Sequence, residues 1–233
     1  MLHLRPSDYR VMPWKDGGGS TTEIAIEPEG ASLSDPFVWR VSSARVDASG
    51  PFSRFPGYVR SLVLLEGAGL LLDIEGIEGI EGIEGIEGIE RTGTTDRKAR
   101  QRLKDIRLPV VFSGAHHVNA TLIQGPCVDF GVISDPSRVR VAIEVVILGQ
   151  EETSFTLAPT TLLFAPRGFV QVDPSGIELG PRESLYFKDV STAAQNMTLT
   201  LRSGVLDTPL IAVMLWPLSP HQEATQSQEI THG

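Results

Sequence analysis

The chain has 233 residues, 41% hydrophobic and 21% charged, which suffices for a sizeable core without disulfide staples and excludes global disorder. The formal charge of −9 argues against a nucleic-acid-binding surface, which needs clustered Lys and Arg. Six of the acids (Glu75, Glu78, Glu81, Glu84, Glu87 and Glu90) lie in one tract, and without them the balance is −3, so the folded body is near neutral.

The single cysteine, Cys127, excludes an intramolecular disulfide, a CxxC redox site and a cysteine-rich zinc site. Within Ile123–Ile133 it reads as a small core hydrophobe. The first residues, MLHLRPSDYRVMPWKD, lack a basic region followed by an apolar one, and no apolar run reaches the roughly 18 residues a membrane helix needs. The expectation is a cytoplasmic protein with no membrane contact, so the sequons at Asn119 and Asn196 are not read as glycosylation sites.

Strand periodicity runs almost throughout. It begins with Thr22–Ile26 and Val38–Ser42 and continues through Tyr58–Leu65, Leu70–Ile74, Leu108–Phe112, Val118–Gln124 and Val128–Ile133. The second half follows with Val139–Leu148, Thr153–Leu157, Leu162–Ala165, Val170–Val172, Ser184–Phe187, Met197–Arg202 and Leu210–Leu215. Turn signals such as Phe55-Pro56-Gly57, Glu66-Gly67, Gly125-Pro126 and Asp173-Pro174-Ser175-Gly176 separate them, and 23 Gly with 16 Pro fit many turns. The fold class is all-β, a sandwich or barrel. One modest helix is expected at Asp96–Asp105.

Ile74–Glu90 is five copies of Ile-Glu-Gly followed by Ile-Glu. A period of three suits neither a strand face nor a helix face, and repeated glycine raises the entropy cost of ordering the chain. With the basic segment 91–105 it reads as a tolerated low-complexity loop insertion at 74–105. Tyr58–Ile74 and Arg140–Leu157 share an order of strand, Gly turn and strand, which suggests two tandem β units. Residues 219–233 read as a disordered tail.

Metal chemistry has little support. The five His are His3, His116, His117, His221 and His232, and the adjacent pair would point to opposite faces of a strand. There is no Gly-x-Ser-x-Gly nucleophile elbow. The run Gly17-Gly18-Gly19-Ser20-Thr21-Thr22 lacks the Gly-Lys-Ser/Thr ending of a phosphate loop and precedes a strand.

Two segments stand apart. Met12-Pro13-Trp14-Lys15-Asp16-Gly17-Gly18-Gly19 holds three consecutive glycines, which suit a flexible turn or backbone passing close to something. In Gly50–Gly67, Arg60 lies on a strand whose two faces are both apolar, so its guanidinium is at risk of burial and needs a partner. That partner is either a planar carboxylate ligand or an internal acid such as Glu23.

MPWKDGGGSTTEIAI, FVWRVSSARVDASGPFSRFPGYVRSLVLLEGAGLLLD and VNATLIQGPCVDFGVISD together resemble the signature blocks of the HutD/Ves family, in order and spacing apart from the Ile-Glu-Gly insertion. The resemblance spans most of residues 1–215. It implies a bicupin, two tandem RmlC-like cupin β-barrel or jelly-roll units, and an association with histidine utilisation without established catalysis. The family's first block usually reads Trp-Lys-Asn-Gly-Gly, whereas Asp16 stands here for the amide. Metal-dependent cupins carry His-x-His near the position of Phe55–Arg60, and its absence favours a metal-free barrel; no cofactor is expected.

The units expected are 1–134, carrying the insertion, and 135–218. The function expected is metal-independent binding of a small molecule, most simply a small carboxylate, in a regulatory or accessory role in histidine or amino-acid catabolism, with a homodimer left open. The alternative is a metal-free cupin isomerase or lyase, in which Glu23 or Asp129 would supply acid–base chemistry. In the binding site, which also takes in Glu23 and Asp129, Arg60 is the charge anchor and Lys15 a second cation. Backbone amides at Gly17 and Gly18 act as donors beside Asp16, and Trp14, Phe52 and Phe55 form apolar walls.

Overall fold

The computed structural model describes residues 1–75, 90–91, 98–190 and 197–218, with only the backbone of Glu90, Arg91 and Lys98. Its strands begin with β1 (Leu2–Leu4), β2 (Arg10–Pro13), β3 (Gly19–Glu27), β4 (Trp39–Val46), β5 (Gly50–Pro51), β6 (Val59–Glu66) and β7 (Leu70–Glu75). Then come β8 (Glu90–Arg91), β9 (Lys98–Leu103), β10 (Val110–Ser113), β11 (His117–Leu122) and β12 (Cys127–Ser134). The second half holds β13 (Val139–Leu148), β14 (Thr153–Thr156), β15 (Thr160–Phe164), β16 (Val170–Asp173) and β17 (Ile177–Leu179). It ends with β18 (Ser184–Phe187), β19 (Thr198–Arg202) and β20 (Thr208–Pro217). The described helical structure is one 3-10 turn, Pro6–Asp8. The protein is all-β, and among the described residues no helix is long and apolar enough to cross a membrane.

Contacts divide the chain into two units: Ser7–Ser134, and Met1–Pro6 together with the chain from Asp135 onward. The first residues go with the later unit because Leu2–Leu4 pairs with Ser184–Tyr186.

The unit Ser7–Ser134 has a six-stranded sheet, β10-β6-β12-β4-β3-β2, and a five-stranded sheet, β5-β11-β7-β9-β8. Its apolar core takes Leu62 and Leu64 from β6, Leu70, Leu72 and Ile74 from β7, Val110 and Phe112 from β10, and Val118 and Ala120 from β11. These residues alternate along their strands, as a pleated sheet with one face on the core requires. A fully buried side chain of this size contributes about 1.5–3 kcal/mol. The later unit has a five-stranded sheet, β1-β18-β15-β20-β13, and a four-stranded sheet, β14-β19-β16-β17.

One topology occurs twice. The order β10-β6-β12-β4 facing β5-β11-β7-β9 becomes β18-β15-β20-β13 with β14-β19-β16-β17 when the strands are matched in chain order. The repeat therefore pairs Val59–Glu66 with Thr160–Phe164. The duplication expected from Arg140–Leu157 is out of step, because β13 matches β4 and not β6. Both segments share strand, glycine and strand, but that pattern recurs at several places in an antiparallel fold.

Over Lys98–Leu103 the helix expected at Asp96–Asp105 and the loop reading of the basic segment 91–105 are also corrected, while residues 92–97 lie outside the described residues. Lys98–Leu103 is a strand antiparallel to β7, with Ala99, Gln101 and Leu103 buried. Arg100 on the opposite face pairs with Asp73 at 2.6 Å. The period is two, and the density of Lys and Arg is the polar half of an alternating strand. The greater part of the Ile-Glu-Gly tract, 76–89, and the tail 219–233 lie outside the described residues.

Candidate functional site

Residues directly opposite in an antiparallel ladder share a face. In the six-stranded sheet, Phe112 is opposite Arg60, Arg60 opposite Ile133, and Ile133 opposite Arg40. Farther along, Leu64 is opposite Asp129 and Asp129 opposite Ala44. This is the face of Leu62, Leu64 and Val110, which belong to the core. Arg60, Arg40 and Asp129 are therefore polar groups on a core-facing surface, Arg40 and Asp129 buried and Arg60 half-buried, where burial without compensation is costly.

Arg40 has its compensation. Its Nε lies 2.7 Å from Glu23 Oε2, with Arg40 buried and Glu23 partly so, although the Arg40 Nη2 is buried without a partner. Glu23 is thus the partner of Arg40 rather than of Arg60, which corrects the pairing expected for the structural alternative.

Arg60 is less well served. Its Nη1 donates to the Ser53 carbonyl at 3.1 Å, and its Nε is buried with no hydrogen-bond partner. Three phenyl rings surround the guanidinium, with Phe52 at 4.9 Å, Phe112 at 5.3 Å and Phe55 at 5.7 Å from its carbon to the ring centroids. Such rings attract the cation through their quadrupoles but leave its donors unfilled. Burial lowers the Arg60 pKa to about 10, Asp129 raises it and Arg40 lowers it further, so the group remains protonated at neutral pH. Asp129 is 4% exposed, and burial pushes its carboxyl up to about 7 against the opposing pull of Arg60. On the facing sheet, Gln101 Oε1 is a third buried polar atom without a partner.

The glycine-rich turn lies beside this interior. Trp14 Nε1 donates to Thr21 Oγ1 at 2.9 Å, and the Trp14 amide donates to the Gly19 carbonyl. A Cβ at Gly19 would come within 2.1 Å of the Arg45 carbonyl oxygen and 3.1 Å of the Trp14 ring, so close backbone approach explains the third glycine. The expected donor role of the preceding amides is corrected. Gly17 N–H donates to the Trp14 carbonyl at 3.1 Å, and Gly18 N–H donates to Asp16 Oδ1 at 3.0 Å. Asp16 acts through an acceptor oxygen, which Asn also carries, so the exchange of one for the other leaves the turn intact. Trp14, Asp16, Gly18 and Phe52 line a cavity of about 230 Å³ with Val46 and Ala48. Phe52 therefore borders both that cavity and Arg60. Lys15 is exposed and is not among the cavity's lining residues.

The repeated topology supplies an internal control. With the ladders aligned on Phe112 and Phe187, Arg60 corresponds to Thr161, Asp129 to Leu210 and Leu62 to Leu163. Leu163, Leu185, Phe187, Leu210 and Ala212 form one apolar core. The later unit therefore holds hydrocarbon or hydroxyl where Ser7–Ser134 holds its two opposite charges. Among the described residues, no group of three or more His, Cys, Asp or Glu is placed to hold a metal. Arg40 and Gln101 complete the polar interior, Phe112 adds a ring against Arg60, and none of the three was singled out in the sequence. For Arg40 the signal was present, since Trp39-Arg40-Val41 sets a cation between two apolar neighbours as Val59-Arg60-Ser61-Leu62 nearly does.

The profile of the HutD family matches residues 6–205. This chain belongs to the HutD family. A 21.2 kDa protein in the hutC 3′ region of Pseudomonas putida is 34% identical over 178 residues, 76% of this chain and 79% of that one. Protein Ves of Citrobacter koseri is 31% identical over 142 residues, 59% of this chain and 61% of its own. The structure of HutD from Pseudomonas fluorescens SBW25 in a formate condition superposes with a TM-score of 0.70 at 28% identity, covering 94% of this chain and 99% of that one. Oxalate decarboxylase from Lactobacillus farciminis and the pirin YhhW from Escherichia coli, 8% and 10% identical, each give a TM-score of 0.59. These last two show a cupin-like fold and nothing of activity.

Proposed function

We propose that this HutD-family chain binds a small carboxylate inside the unit Ser7–Ser134, with Arg60 as anchor, in an accessory or regulatory role in histidine or amino-acid catabolism. The observation that carries the reading is Arg60 itself: a protonated guanidinium under three phenyl rings, with Nε buried and unpartnered. A planar carboxylate matches a guanidinium fork with two charge-assisted hydrogen bonds. The family match and the relative in the hutC 3′ region support the metabolic setting. We read the repeated strand order as two tandem cupin units of RmlC-like jelly-roll type, of which the first carries charge at ladder positions where the second has Thr161 and Leu210.

A thermal-shift screen of small carboxylates on wild type and Arg60→Ala tests the binding reading. Stabilisation of the wild type alone is the expected result, whereas equal shifts in both proteins remove Arg60 from the site. One observation favours a second reading, a metal-free isomerase or lyase: a buried carboxyl, Asp129, with its pKa near neutrality is suited to proton transfer. Turnover of a small acidic metabolite that disappears in Asp129→Asn would support it.

A further inference from the structure

Asp129 lies on the same core-facing ladder surface as Arg60, 4% exposed, flanked by Leu64 on β6 and Ala44 on β4. The charged and titratable groups facing it can be named element by element. From β6 comes Arg60, from β4 Arg40, from β3 Glu23, and from its own strand Cys127, whose thiol burial pushes up to about 11 and so keeps neutral. Asp47 also acts on Cys127, while the facing sheet offers the uncharged Gln101. Glu23 neutralises Arg40 at 2.7 Å. Among these groups the cation left to balance an ionised Asp129 is Arg60. An anion that engages Arg60 therefore takes away that balance and leaves a buried carboxylate on the same ladder surface as a second negative charge, which is unfavourable.

We propose, resting on the binding reading above, that Asp129 couples ligand binding to a proton: the carboxylate enters as an anion together with one proton, which Asp129 holds while the ligand occupies Arg60. No bond to carbon is made or broken, and the proton comes from solvent. The preferred ligand state is then anion plus proton, and affinity falls as pH rises. The coupling is favourable in the other direction too, since ligand binding raises the proton affinity of Asp129 by the same factor.

The probe is sodium formate, which stays ionised from about pH 5.5 to about pH 8.5, titrated by NMR into the full-length protein. A carboxyl that titrates near 7 is almost wholly protonated at the lower pH and about one-thirtieth protonated at the upper, so wild-type affinity weakens about thirtyfold across the range. Asp129→Asn, which is neutral at every pH, binds formate with the same affinity at both ends. A wild-type affinity that does not change with pH, while Arg60→Ala still abolishes binding, overturns the coupling and leaves the site standing. Binding that survives Arg60→Ala overturns the site and the coupling with it. Should Asp129→Asn fail to fold, a pH-stat reading on wild type decides the matter. Uptake of about three-quarters of a proton per formate bound near pH 7.5 supports the proposal, and no uptake overturns it.

Discussion

Replacing Asp129 by Asn tests the electrostatics of the interior without any ligand. A carboxyl moved from 3.8 to about 7 by burial holds its proton more tightly in the folded chain than in the unfolded one. Between those two values the folded state binds more protons, so the contribution of Asp129 to stability is greatest below about pH 4, falls as pH rises towards about 7, and is level beyond. Integrated between about pH 5 and about pH 8, the loss from this one group is about 3 kcal/mol. Asn cannot titrate, and the other ionisable groups contribute to both proteins alike, so the difference between their profiles isolates Asp129. Urea unfolding of wild type and Asp129→Asn, followed by fluorescence at several pH values, reads it directly. The expected result is a wild type that loses about 3 kcal/mol relative to the variant across that interval. Profiles that stay parallel within about 0.5 kcal/mol would show Asp129 titrating as a solvated carboxyl and would refute the burial argument.

Arg60→Lys is expected to weaken carboxylate binding almost as much as Arg60→Ala, about ten- to a hundredfold, because an ammonium cannot reproduce the planar fork; NMR or calorimetric titration gives both values. Gly19→Ala would place its Cβ 2.1 Å from the Arg45 carbonyl oxygen, and the urea midpoint should fall by the equivalent of about 2 kcal/mol or more. Asp16→Asn retains an acceptor for the Gly18 amide and should leave stability within about 0.5 kcal/mol, whereas Asp16→Ala loses that bond and should cost about 1 kcal/mol. Cys127, buried with its thiol pushed up to about 11, should react with a thiol reagent near pH 8 only as fast as the protein opens, so urea accelerates the reaction.

Much of the fold was legible because its signals are local. Alternation in Thr22–Ile26, Tyr58–Leu65 and Val139–Leu148 marks strands whose observed spans contain or overlap those residues. Lys98–Leu103 was misread because charge density hid a period-two pattern whose inward members are Ala99, Gln101 and Leu103, only one of them strongly apolar. The repeat of the topology was legible as a suspicion but not in register, since register depends on which strands pair across long separations, and sequence order does not encode that. At the site, Arg60 was legible from its apolar flanks. Its separation from Glu23 was not, because Glu23 and Arg40 meet only through a ladder whose register shifts between Glu23 and Ala25. The glycine run invited a ligand-donor role for its amides, but a turn this tight uses those amides on itself. Phe112 arrives from 52 residues downstream of Arg60, opposite it in the ladder.

The central claim, that Arg60 is held ready for a small carboxylate, is tested most directly by the Arg60 Nε–H resonance in protein labelled with ¹⁵N-arginine, assigned by its loss in Arg60→Lys. Saturable movement of that signal on addition of formate at about pH 5.5, where Asp129 is protonated, is the predicted result. An Arg60 signal that stays in place while formate moves resonances elsewhere would contradict the account.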